Sequence, residues 1–216
     1  MIVSHLLVCT MTDAPLAARS SRSPGRPREF DVGQTLDAAI RVFSERGYHG
    51  TSINELKEAM GLTAGSIYKA FKDKHAVFLA AFDRYKQVRG DLLNVQLAKA
   101  NTGREKIAAL LRFYAEAACG ETGRRGCLAI GAAVELSLFD PVVAERVEGH
   151  NARLVQRIEG FIRDGQADGS VSASVDPAAT ALAVFSYLMG VRIAGKTGRP
   201  DLPLLASVEA ALKLLD

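Results

Sequence analysis

Two helix-start signals stand close together in TSINELKEAMGLTAGSIYKAF, residues 51–71, with Gly-Leu-Thr forming the corner between them. Ser52 followed by Glu55 is a capping box, in which each side chain satisfies a free backbone N–H of the other residue. Thr63 is a good N-cap for the second helix. Gly61 permits the tight turn, and Leu62 plugs the angle between the helices. A corner this short forces a helix-turn-helix. Ile53, Leu56 and Ala59 of its first helix, with Ile67 and Phe71 of its second, can pack on Ala39, Ile40 and Phe43 of the preceding segment. The second helix is then held rigidly outward, where its first turn can enter a DNA major groove.

That geometry gives the tip residues a purpose. Thr63 and Ser66 carry hydroxyls for base edges or phosphates, while Ala64 and Gly65 leave room for close backbone approach. Tyr68 and Lys69 follow within reach of phosphate or base. Small residues at a helix start are equally ordinary capping chemistry, so composition leaves both readings open.

The rest of the chain also reads as helix. GQTLDAAIRVFSERG places Leu36, Ala39, Ile40 and Phe43 on one face and stops at Gly47. A long helix is expected from about Asp73. Five more, bounded by Gly, Asp-Pro or Pro, lie in residues 103–120, 124–140, 141–169, 176–198 and 202–215. The fold class is therefore all-α, with about nine helices. Residues 12–28 are rich in Pro, Ser, Ala and Arg and are expected to form a mobile arm. The expected domains are a basic arm at 1–28, a helix-turn-helix domain at 29–75 and a larger helical domain at 76–216.

Charge placement agrees with a nucleic-acid partner. The net charge is +3; residues 1–86 hold 12 Lys and Arg against 9 acids, and the remainder holds 15 of each. A solvated basic face accounts for this balance equally well. Three cysteines, Cys9, Cys119 and Cys127, have no metal-like spacing and form no disulfide framework. The opening apolar run lacks a basic segment before it, so it is a poor signal peptide, and translation from Met11 is an alternative start. No apolar stretch reads as long enough to span a bilayer, so a cytoplasmic protein with no membrane partner is expected. No glycine-rich phosphate loop, HExxH, Cys pair at metal spacing or Ser nucleophile elbow is present. The four histidines, His5, His49, His75 and His150, are scattered. The expectation is a non-enzyme without catalytic residues, metal or cofactor.

The stretch AAIRVFSERGYHGTSINELKEAMGLTAGSIYKAFKDKHAVFLAAF resembles the N-terminal domain of the TetR/AcrR family of bacterial transcriptional repressors. The likeness covers residues 33–82 through Phe43, Gly47-Tyr48, Thr51-Ser52-Ile53, Ala59-Met60-Gly61-Leu62, Gly65, Ile67-Tyr68, Phe71 and Lys74. One departure is Ala70, where the family often has His or another ring; a phosphate contact or a packing ring is at stake there. The resemblance implies that Thr63, Ala64, Gly65, Ser66 and Lys69 face the groove and that Tyr68 and Lys74 touch the DNA backbone. Thr51 and Ser52 suit phosphate binding through hydroxyls and free N–H groups. Tyr68 as half-buried core and Lys74 as a plain exposed lysine are the competing readings. Arg26 and Arg28, with Arg19 and Arg22, could reach the minor groove or belong to a solubilising tail.

For the larger domain the resemblance implies a small-molecule effector and a homodimer, whose two recognition helices lie roughly 34–36 Å apart on a near-palindromic double-stranded operator. The pairing helices would be residues 177–196 and 203–215. Candidate effector-site residues are Phe82, Leu110, Phe113, Leu128 and Leu136 as apolar lining and Arg112, Tyr114 and Glu135 as polar anchors; Arg112 and Glu135 could instead pair with each other. Cys127 follows Arg124 and Arg125 at a helix start, where the dipole and two guanidiniums favour a thiolate. It is a candidate sensor of oxidants or electrophiles, or simply a small buried residue. The function expected is a repressor released from its operator by an effector. An all-helical interaction protein and a thiol-sensing regulator are the alternatives.

Overall fold

The computed structural model describes residues 31–198 and 203–216. The basic arm, including Arg26 and Arg28, lies outside the described residues. Among those described there are ten α-helices, a closing 3-10 turn and no strand.

Helix α1 (Val32–Arg46) starts where the Asp31 carboxylate accepts from the N–H groups of Gly33 and Gln34, at 2.8 and 3.2 Å. Helix α2 (Ile53–Met60) carries the expected capping box: Ser52 N–H donates to Glu55 Oε2 at 2.7 Å and Glu55 N–H to Ser52 Oγ at 3.2 Å. Gly61 then turns the chain in the left-handed region, φ 63°, and Thr63 caps α3 (Ala64–Ala70). Leu56 and Ile67 are completely buried, as are Ala39 of α1 and Val77 of α4 (Lys74–Leu97). These residues, with Phe43, Phe78 and Phe82, form one core.

That core does not stop at residue 75. It continues along α4 and takes in Leu128, Ala129 and Ala132 of α7 (Leu128–Glu135) and Val143 and Val147 of α8 (Pro141–Asp168). A second core joins Leu93 and Leu97 of α4 to α5 (Gly103–Glu116), the distal half of α8, α9 (Pro177–Lys196) and α10 (Ala206–Leu212). Helices α5 and α8 touch backbone to backbone: a Cβ on Gly103 would lie 2.2 Å from the Gly165 nitrogen.

The segment expected as one helix over 124–140 is divided. A short α6 (Gly120–Arg125) ends at Gly126, φ 95°, and Cys127 becomes the N-cap residue of α7. The break follows from Gly126, which adopts a backbone conformation that residues with a Cβ rarely reach. Helix α9 also differs from expectation: its most apolar 18 residues have a mean hydropathy of 1.5, enough by length and composition for a membrane span. One face of it, which carries buried Arg192, packs on α5, α6 and α8.

Candidate nucleic-acid interface and effector cavity

Buried Ile67 anchors α3, leaving Thr63, Gly65, Tyr68, Lys69 and Ala70 exposed, with Ala64 and Ser66 half-buried. Tyr68 is 52% exposed, which decides against its reading as core. The hydroxyls of Thr63 and Ser66 lie 2.9 Å apart, and Thr63 Oγ1 also accepts from Ser66 N–H. The outward face is thus small and hydroxyl-bearing at its tip, then aromatic and cationic. Exposed Lys72 extends it; the only trace of Lys72 in the sequence is a lysine just past the second helix.

Two residues expected at phosphates are engaged elsewhere. Thr51 is 2% exposed, and its hydroxyl donates to the Gly47 carbonyl at 2.6 Å, so that hydroxyl faces inward. Half-buried Lys74 is not a plain exposed lysine. Its ammonium donates to the carbonyls of Tyr48 and Thr51 at 3.0 and 2.9 Å and stands 4.2 Å from the centre of the Tyr48 ring. It ties the approach to α2 onto the start of α4. Ser52 stays exposed, its hydroxyl shared with Glu55.

The candidate effector residues separate into groups. Phe82 and Leu128 lie in the first core and Leu110 in the second, each at most 2% exposed; Leu136 is buried in the first core. Arg112 and Phe113 border a surface hollow with Gln96 and Glu105. Arg112 pairs with Glu209, not Glu135, at 3.3 Å. Glu135 accepts from the His49 N–H at 3.2 Å, linking α7 to the helix-turn-helix domain. Only Tyr114 and Cys127 of the expected set meet in a cavity of about 230 Å³.

That cavity lies at the seam between the two cores. Tyr85, Cys127 and Ala133 pack against the first core, and Tyr114, Phe185 and Met189 against the second. Arg89, Ile130, His150, Asn151 and Ile193 add to the lining. Tyr85 Oη and Cys127 Sγ are 3.2 Å apart. Burial raises the pKa of both cavity phenols, that of Tyr114 to about 12, so both remain protonated at neutral pH. Burial, with the charges of Lys86 and Arg153, lowers that of His150, favouring the neutral ring. Sequence reasoning missed Tyr85 and Arg89, although both follow the apolar stripe Val77, Phe78, Ala81, Phe82 along α4. A cation on that stripe was the available signal.

Two polar links join the cavity walls to α1, and a third joins α6 to it. Next to Tyr85, Arg84 grips Asp37 through two hydrogen bonds of 2.7 and 2.6 Å. At the end of α9, the Lys196 ammonium donates to the carbonyls of Ser44 and Arg125, at 2.8 and 3.1 Å. Arg125 itself pairs with Glu45 at 3.3 Å.

Known proteins share both halves of this arrangement. Residues 36–81 match the model of bacterial regulatory proteins of the tetR family, and residues 103–205 match the tetracyclin repressor-like C-terminal domain. The chain belongs to the TetR family. Its members are DNA-binding transcriptional regulators, and the similarity runs nearly end to end. The transcriptional repressor ComR of Escherichia coli strain K12 is 28% identical over 206 residues, covering 94% of this chain and 96% of ComR. The TetR regulator CifR, solved as a cysteine mutant complexed with 26-base-pair operator DNA, is 32% identical with a TM-score of 0.79. That likeness covers 89% of this chain and all of the CifR chain (100%). A TetR regulator from Chloroflexus aurantiacus is 26% identical, with a TM-score of 0.75 over 83% of this chain and 90% of that one.

Proposed function

We propose that this TetR regulator is a repressor that binds a near-palindromic operator as a homodimer and is released by a small-molecule effector. The observation that carries the DNA reading is the outward face of α3, with Tyr68 and Lys69 exposed on a helix pinned by buried Ile67. Thr63, Ala64, Gly65, Ser66 and Lys69 face the groove in this reading. Tyr68, Ser52 and the N–H groups opening α2 meet phosphates, and Arg26 and Arg28 of the arm reach the minor groove. Thr51 and Lys74 act indirectly, by bracing the approach to α2. Residues 29–75 form the reading head, and residues 76–216 hold the effector and the dimer surface.

Helix α9 supports the dimer. Only 33% of its most apolar 18 residues are buried, and Leu182 and Ile193 are 58% and 54% exposed. An identical helix from a second copy would cover that face. Effector release acts through the seam. A ligand seated there shifts α4 and α9, and Arg84 and Lys196 pass the displacement to α1. Release requires that the ligand bind the DNA-free arrangement more tightly than the DNA-bound one.

A thiol-sensing variant has its own support: Cys127 lines the cavity beside the Tyr85 hydroxyl. Modification there would add bulk at the same seam. Selection of binding sites from a random duplex pool tests the main reading. A two-fold motif with half-sites about one DNA turn apart is expected. Recovery of no motif, with weak binding lost at modest salt, would overturn the operator. Gel-shift titration on the selected site, with the thiol free or alkylated by iodoacetamide, tests the thiol variant.

A further inference from the structure

The polar groups of the seam cavity are unbalanced. Arg89, Tyr85, Tyr114, Cys127, His150 and Asn151 contribute to the lining, and no carboxylate does. The Arg89 guanidinium lies 4.1 Å from the centre of the Phe113 ring and 5.9 Å from that of Tyr114. Among the described residues it has no ion pair. Arg192 stands behind the same wall, adjacent in sequence to cavity-lining Ile193, and is only 4% exposed. Its Nη2 donates to the Gly126 carbonyl at 2.7 Å, while Nη1 has no partner. Both guanidiniums act electrostatically on the Tyr85 and Tyr114 phenols. Two cations therefore act on the phenols of a cavity whose lining holds no carboxylate, an arrangement that burial penalises. Ile130, Phe185, Met189 and Ile193 supply apolar wall.

We infer that the cavity binds a small carboxylate with a short apolar body, its anionic end held by Arg89 and the Tyr114 hydroxyl, with Arg192 adding positive potential from behind. The planar guanidinium fork matches a carboxylate. A protonated phenol can donate its hydrogen bond to an oxyanion. Size bounds the body: 230 Å³ is below the roughly 300–1,000 Å³ of pockets for drug-sized ligands. A single ring or a short aliphatic chain fits this bound. The inference deepens the effector reading above and rests on it.

The test uses the full-length protein, benzoate and butyrate as probes, and benzamide and butyramide as neutral counterparts, with sodium chloride matching the ionic strength. Thermal unfolding and titration calorimetry read binding, and a gel shift on the selected operator reads release. The expected result is a dose-dependent rise in Tm with the acids and little with the amides. Arg89→Gln should weaken acid binding at least about tenfold, the loss of one charge-assisted contact, whereas exposed Arg163→Gln should not. The acid-over-amide preference is measured on the unaltered protein, so it stands even where Arg89→Gln fails to fold. Amides binding as tightly as acids would overturn the anionic class while leaving a ligand cavity. No response to any of the four probes would overturn the inference, and operator selection would still judge the DNA reading separately. Acid binding without operator release would support the inference and overturn the release mechanism.

Discussion

Thr51 and Lys69 separate two ways in which a residue near DNA can matter. The buried Thr51 hydroxyl holds the Gly47 carbonyl, so Thr51→Val leaves that acceptor unpaired and should cost about 1–3 kcal/mol of stability. Denaturant melts would read the loss. Exposed Lys69→Ala should leave the melt unchanged, weaken binding to the selected operator and relax the base preference at the position that Lys69 faces. An unchanged base preference would remove Lys69 from the groove contacts. His150 carries a pH consequence. Its folded pKa is depressed, chiefly by burial, so the unfolded chain takes up the proton first on acidification. Stability should fall as pH drops through about 6.5, the unfolded value, and level off below the folded one. His150→Gln should flatten that part of the pH–Tm curve.

At the scale of elements, the caps were the legible part of the chain. Ser52-Glu55, Thr63, Asp73, Asp140-Pro141 and Asp176-Pro177 announce helix starts through local chemistry, and each stands where the sequence places it. The split at Gly126 was not legible, because a glycine beside Cys127 fits a helix start as well as a break. Most of the cavity was hidden for a different reason. Its walls come from α4, α5, α7, α8 and α9, and no local periodicity records which faces of five helices meet. Leu110 and Leu128 follow the same apolar pattern as cavity wall yet fill the cores. The link between α4 and α1 gives an element-scale prediction. Arg84 and Asp37 are each about one-third exposed, so their pair should stabilise the fold by no more than about 1 kcal/mol in a double-mutant cycle. Arg84→Gln should nevertheless reduce effector-driven release in a gel shift, because it removes the polar tie between the α4 wall and α1. Full release by that variant would locate the coupling at Lys196 or α7 instead.

For the whole molecule, the proposed dimer rests on the exposed apolar face of α9. Leu182→Arg places a charge on that face without entering the cavity or either core. The variant should sediment as a monomer at micromolar concentration, keep its helical circular dichroism and lose most operator affinity, since one reading head holds only one half-site. A dimer that survives this change would move the interface off α9. The position of the two phenols on the seam has another, optical consequence. The chain contains no tryptophan and five tyrosines, so its ultraviolet emission is tyrosine emission. Two of the five, Tyr85 and Tyr114, stand on the cavity wall beside guanidinium and thiol groups. Any occupant of the seam must alter the surroundings of a large share of the fluorophores, and the protein is in that sense its own unlabelled indicator.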